Sequence, residues 1–134
     1  MNGEWRPDLP VFDETALAQF MGIPGSAALC PFYELFIQQA LPILDEFRPG
    51  QEAQNLQRME KLAHKLKSSA LSVGAEPLGL ILAEVERACR SGDQQVLTQL
   101  VPQTYALAVR TLDAIAAFQI RLAAPEGNAQ TLSD

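Results

Sequence analysis

The chain has 134 residues, nearly half of them apolar, which is enough for one packed domain and unlike a disordered chain. A formal charge of -6 and a pI near 4.7 argue against nucleic acid or an anionic membrane as the main partner, since both demand a cationic surface. One histidine and two cysteines, with no CxxC pair, do not make a four-ligand zinc site, so no metal site is expected.

Residues 1–12 contain two prolines and no hydrophobic period, and are expected to form an extended lead-in on which Trp5, Val11 and Phe12 can pack. The polar start MNGEWRPDLP has no apolar run of the kind a signal peptide needs. The most apolar stretch, residues 27–44, is interrupted by Pro31, Glu34, Gln38, Gln39 and Pro42 and reads as no membrane span. A soluble, cytoplasmic protein is expected, with Cys30 and Cys89 as small buried hydrophobes of a reducing compartment.

Asp13 is a good N-cap for a short helix over about 14–21, which Gly22 stops. After the Ile23-Pro24-Gly25 turn, Ser26 caps a helix to about Phe47, with Pro31 in its first turns and a kink or break at Pro42. Arg48-Pro49-Gly50 is read as its end. The next helix is expected from about Glu52 to Val73 with Gly74 as its stop, and another from Pro77 to about Arg90. The last runs from about Gln94 to Leu122, with Pro102 as an interior blemish, and residues 123–134 read as a disordered tail. No stretch alternates with period two. The fold class is therefore all-α: residues 13–122 form an up-and-down antiparallel four-helix bundle with a short extra N-terminal helix.

The stretch Leu62 to Ala75, LAHKLKSSALSVGA, holds the one histidine, His64, among Lys61, Lys65 and Lys67. With Leu56 at zero on a helical wheel, Met59, Leu62, Ala63, Leu66, Ala70 and Val73 fall between about 240° and 360°, which is the core face. His64 lands near 80°, off that face, on the side of Glu60, Lys61, Lys67, Ser68 and Leu71. A lone surface histidine is ordinarily inert. Here Lys67 follows three residues later and reaches the same space, and Ser68 beside it leaves clearance and offers a hydroxyl. An imidazole is a nucleophile when neutral, and these neighbours suit one that carries a phosphoryl group loosely. Lys61 reads as an electrostatic helper, Lys65 as solvated, and Arg90 as a surface partner of Glu86 at i, i+4.

AHKLKSSALSVGA resembles the histidine-phosphotransfer domains of phosphorelays, whose pattern is A-H-x-L-K-G-[SA]-[SA]-x-x-[LV]-G-A, later followed by L-E-x-x-x-R. Ala63, His64, Leu66, Lys67, Ser69, Ala70, Val73, Gly74 and Ala75 match it, as do Glu86 and Arg90. Val85 stands before Glu86 where the pattern has leucine, and the departure that matters is Ser68, which stands where the pattern has glycine and implies tighter clearance.

The resemblance, over about residues 13–122, implies a phosphoryl carrier and not an enzyme. His64 would accept the group, usually on Nε2, from the aspartate of a receiver domain in a hybrid sensor kinase, and pass it to a response-regulator aspartate. Lys67 would hold the phosphoryl oxygens. The receiver would supply Mg²⁺, so the chain needs no cofactor, and the absence of a Gly-rich nucleotide loop agrees with that. The family also implies an apolar docking surface, for which Leu17, Phe20, Met21, Phe36 and Leu71 are the candidates; a monomer is expected. The alternative is a non-catalytic helical adaptor in which His64 is idle. A di-iron bundle is excluded for want of Glu-x-x-His pairs.

Overall fold

The computed structural model describes residues 10–52 and 55–124. Its elements are α1 (Ala16–Met21), a 3-10 turn (Ala27–Leu29), α2 (Cys30–Glu52), α3 (Leu56–Val73), α4 (Glu76–Ser91) and α5 (Gln94–Ala123). No strand occurs among the described residues.

The long helices form an up-and-down ring, with α3 packed on α4, α4 on α5, and α2 on both α3 and α5. Contacts across each seam give the directions. Ser69 of α3 donates to Gln39 of α2 at 2.9 Å, and Arg58 to Glu46 at 2.7 Å, so numbers rise in one helix as they fall in the other. The α2–α5 seam is likewise antiparallel: the Tyr105 hydroxyl donates to the Leu44 carbonyl, and Gln119 to the Cys30 carbonyl. Inside lie Leu29, Tyr33, Phe36, Phe47, Met59, Leu66, Leu78, Leu82, Leu97, Leu107 and Ile115, all fully buried. The buried hydroxyls of Thr104 and Thr111 donate to the carbonyls of Leu100 and Leu107 in their own helix, so they cost the core no unmet polar group.

Helix ends follow local chemistry, with shifts from the sequence reading. The Asp13 carboxylate accepts from the Thr15 amide at 2.9 Å and from its hydroxyl at 2.7 Å, a closed turn that delays α1 until Ala16. Ser26 caps the 3-10 turn, which runs straight into α2. The backbone of α2 continues through Arg48-Pro49-Gly50 to Glu52, correcting the expected stop, and it passes Pro42 without a break. The carbonyls these prolines leave without helical donors belong to Gln38 and Asp45, both exposed residues, a placement that tolerates the missing amides. Asn55 caps α3 by accepting from the Arg58 amide, so the helix starts at Leu56, four residues later than expected. Asp93 caps α5 through the Val96 amide, and α5 carries on past Pro102 to Ala123, so Ala123 is helix and not tail. Trp5 and residues 125–134 lie outside the described residues.

The segment Ala27–Arg48 is long and apolar enough to cross a membrane. In the fold, however, its Leu29, Tyr33, Phe36, Ala40, Ile43, Leu44 and Phe47 form one wall of the core.

The N-terminal lead-in is tied to the far end of α3. Phe12 is buried edge-to-face against Tyr33 and Phe118, with ring centroids 5.7 Å away in both cases. The Asp13 amide donates to the Gly74 carbonyl at 2.9 Å. Gly74 has φ +91°, and a Cβ there would lie 2.4 Å from the Asp13 carbonyl oxygen. Gly92, with φ +73°, has nothing within 4 Å of the same point. Gly74→Ala is therefore expected to cost about 2–3 kcal/mol, against about 1 kcal/mol for Gly92→Ala, where only the left-handed backbone opposes the side chain. Urea unfolding of the two variants measures the difference, and equal losses would dismiss the Asp13 contact.

Candidate functional site

The turn between α3 and α4 is only Gly74-Ala75, so the two helices form a tight antiparallel hairpin. Small residues line its seam: Ala63, Ala70, Ala75 and Gly79 are all buried. At Gly79 an added Cβ would stand 2.6 Å from Leu71 Cδ2, so Leu71 lies directly over α4. Close helices let short side chains meet across the seam. Residues equally far from Ala75 face one another: Leu71 and Gly79, Glu60 and Arg90, and His64 and Glu86, which stand eleven residues before and after it.

His64 is exposed, with 61% of its side chain open to solvent. Its Nδ1 lies 2.9 Å from Glu86 Oε2. The other oxygen, Oε1, accepts from Lys67 Nζ at 2.8 Å, and Oε2 also accepts from Arg90 Nη2 at 3.2 Å. Arg90 Nε continues to Glu60 at 3.0 Å. Glu86 is thus a buried carboxylate, its side chain only 10% exposed, with three nitrogen neighbours. Burial pushes its carboxyl up, but the hydrogen bonds and charges of Lys67 and His64 outweigh burial and hold it below the ordinary glutamate value. A charged Glu86 accepts only, so the proton between it and the ring resides on Nδ1. That leaves Nε2 as the nitrogen with the lone pair, on the open side of the ring.

Of the expected site residues, the structure brings together His64, Lys67 and Arg90, and it adds Glu86 as the group that joins them. The sequence reading matched Glu86 to the family pattern and paired it with Arg90, yet assigned it no part in the site. Its signal was reflection through Ala75, the point about which the hairpin folds. Lys67 is a quarter exposed and bound to Glu86, so its charge is already partly matched. Lys61 and Lys65 are exposed and form no ion pair among the described residues. The Ser68 hydroxyl is exposed but turned back, donating to the His64 carbonyl at 3.3 Å, so it keeps close to the helix. Arg90 is more than an i, i+4 partner of Glu86, since it also reaches across the seam to Glu60.

Two docking candidates are corrected. Leu17 and Phe36 are buried, 4% and 2% exposed, because both side chains point into the core. Phe20 is 71% exposed and Leu71 about half, and Met21 is partly buried. Phe32 and Leu35 on α2 are further exposed apolar side chains. The cysteines are free; burial, with Glu60 and Glu86 nearby, pushes the Cys89 thiol up to about 11, which makes it a core side chain and not a nucleophile.

The charged seam on this helical hairpin engages one nitrogen of an exposed imidazole and leaves the other without a partner among the described residues. The model of the Hpt domain family matches residues 31–120, more than half of the chain, and the chain belongs to that family. Membership implies a histidine-phosphotransfer role in a phosphorelay. Seventy-five residues, 56% of the chain, align at 31% identity with the sensor protein TorS of Escherichia coli (strain K12). They amount to 8% of that protein, so the chain is similar to a small part of it. No solved structure matches the chain.

Because its carboxyl is held below the ordinary value, Glu86 binds fewer protons in the folded than in the unfolded chain at acid pH. Its contribution to stability is full above the unfolded value and disappears as pH falls through the lower folded one. Glu86→Gln should therefore be less stable than wild type at pH 7, with the gap closing below about pH 4. Asp13 and Glu46, also lowered, act alike in both proteins. Urea unfolding across this pH range checks it, and a constant gap contradicts the ionic role.

Proposed function

We propose that the chain is a phosphorelay intermediate: it takes a phosphoryl group from a receiver-domain aspartate of a hybrid sensor kinase on His64 and gives it to the aspartate of a response regulator. The observation that carries the reading is the His64 ring, with Nδ1 engaged by Glu86 and Nε2 open on an exposed face. In the first step the Nε2 lone pair attacks phosphorus. The P–N bond forms, the acyl-phosphate P–O bond breaks, and its electron pair stays on the donor carboxylate. The second step is the reverse with a different aspartate. The chain supplies a positioned nucleophile and a nearby cation, and the receiver supplies Mg²⁺ and most of the catalysis, so the chain is a carrier and not an enzyme in its own right.

Lys67 is assigned the phosphoryl oxygens. An ammonium has three donors and Glu86 uses one, which leaves donors for the incoming group. Ser68 gives clearance: turned back on the His64 carbonyl, its side chain stays low where a partner must approach. Lys61 and Lys65 add a weak positive field. Phe20, Met21 and Leu71 are proposed as part of the receiver contact, supported by the exposure of Phe20 and Leu71. A soluble monomer in the cytoplasm fits this role.

Incubation with phosphorylated receiver domains is expected to place an alkali-stable, acid-labile phosphate on the wild-type chain and none on His64→Gln. Label that survives the substitution, or no label on wild type from any receiver of the host, leaves the idle-histidine adaptor as the better reading. Lys67→Ala is expected to slow transfer by about tenfold or more while helical content by circular dichroism stays the same. An unchanged rate removes Lys67 from the site.

A further inference from the structure

We infer that Gly79 sets the fit of a receiver domain on this chain, by letting Leu71 lie flat against α4 so that the partner can come down onto His64. This rests on the carrier reading above and deepens it. Gly79 is a positioning residue that acts through Leu71, outside the charged cluster.

The backbone gives no reason for a glycine at this place. Gly22, Gly74 and Gly92 have positive φ and close helices, whereas Gly79 lies inside α4, where its amide donates to the Ala75 carbonyl at 3.0 Å. Glycine weakens a helix interior relative to alanine. The reason lies across the seam. A Cβ at 79 would stand 2.6 Å from Leu71 Cδ2 and 2.9 Å from Leu71 Cγ, so the leucine occupies the room that any side chain there would need. Leu71 nevertheless stays 48% exposed, an apolar group laid on α4 with its outer side open.

Leu71 follows His64 by seven residues, so it lies nearly in line with it on the helix, about 10 Å further along the axis. The surface between them is low. The Ser68 hydroxyl is turned back on the His64 carbonyl at 3.3 Å, and the Ser72 hydroxyl on the Ser68 carbonyl at 3.1 Å. A protein that hands a phosphoryl group to Nε2 has to press its own surface against this side of α3. A specific interface takes about 800 Å² of each partner, a disc of roughly 16 Å radius, so a footprint centred near His64 includes Leu71. Laid flat, Leu71 offers that partner an apolar contact. Lifted off α4, it would meet the partner first and hold it away from the ring, and a misplacement of about 1 Å can cost about a hundredfold in rate.

The test compares two phosphoryl donors on the full chain. Phosphoramidate is small and needs no docking surface; a phosphorylated receiver that labels wild-type His64 does. The readout is the rate of labelling by the receiver divided by the rate with phosphoramidate. Gly79→Ala is expected to lower this ratio at least about threefold. Damage to His64 itself slows both donors alike, so an unchanged ratio overturns the inference. In a Leu71→Ala background, where the space over position 79 is free, Gly79→Ala is expected to change the ratio by less than about twofold, and a larger change overturns the inference. If Gly79→Ala does not fold, Leu71→Ala alone is read: it is expected to lower the ratio at least about threefold by removing the apolar contact, and a smaller loss overturns the inference. Failure of the carrier reading is distinct: wild type then takes label from phosphoramidate and from no phosphorylated receiver of the host, and this inference falls with it.

Discussion

A single buried carboxylate organises the functional face of this bundle. Glu86 touches His64, Lys67 and Arg90 at 2.9, 2.8 and 3.2 Å, and Arg90 reaches on to Glu60. Removing a carboxylate from water is costly, and two cations and a ring N–H offset that cost through charge-assisted bonds. Such a cluster adds little net stability compared with well-packed apolar side chains, so its use lies in what it positions. It holds the imidazole by one edge and leaves the other edge free. The same carboxylate also holds Lys67 near the ring, which on an isolated helix would sample many rotamers.

That arrangement depends on how closely α3 and α4 approach. Gly79 keeps the seam thin, with Leu71 filling the space over it, and Ala63, Ala70 and Ala75 are small buried residues of the same hairpin. A larger side chain at Gly79 would push Leu71 outward. The turn is fixed from the other side by the lead-in, where the Asp13 amide binds the Gly74 carbonyl and Phe12 is locked among Tyr33 and Phe118. The histidine is thus carried on a helix whose C-terminal end is anchored by two separate elements. A site held on rigid helices is positioned more accurately than one on loops.

Much of this was readable from the chain. Gly22 and Gly74 close their helices with positive φ, as their places after apolar periods imply, and Gly92 does the same. The wheel put His64 off the core because Met59, Ala63, Leu66, Ala70 and Val73 leave no room for it on the buried arc. Three misreadings have distinct causes. Arg48-Pro49-Gly50 has the composition of a stop, but the carbonyl freed by Pro49 belongs to the exposed Asp45 and the helix continues. Leu17 and Phe36 looked like docking residues from family expectation, whereas burial depends on which neighbour covers a face, and that is a tertiary fact. Glu86 was seen only within its own helix, as a partner of Arg90. Its main partners lie on α3, and they become visible only when the chain is folded back at Ala75.

The same cluster reconciles two demands on a carrier. A phosphoryl group must be held well enough to survive between partners and weakly enough to leave. If the lysines around His64 were all free, the sequence would describe a strongly cationic pocket. In the fold the carboxylates Glu60 and Glu86 balance Arg90 and Lys67, so the cluster has no net charge with neutral histidine. If His64 is the phosphoryl site proposed above, an arriving dianion would meet one ammonium that is already shared and two more lysines, Lys61 and Lys65, open to water, whose attraction is screened. It would also meet the repulsion of Glu86 across the ring. On the proposed reading, moderate retention would follow from this charge balance, since Glu86, which engages Nδ1, would also oppose tight holding of a phosphoryl group on His64.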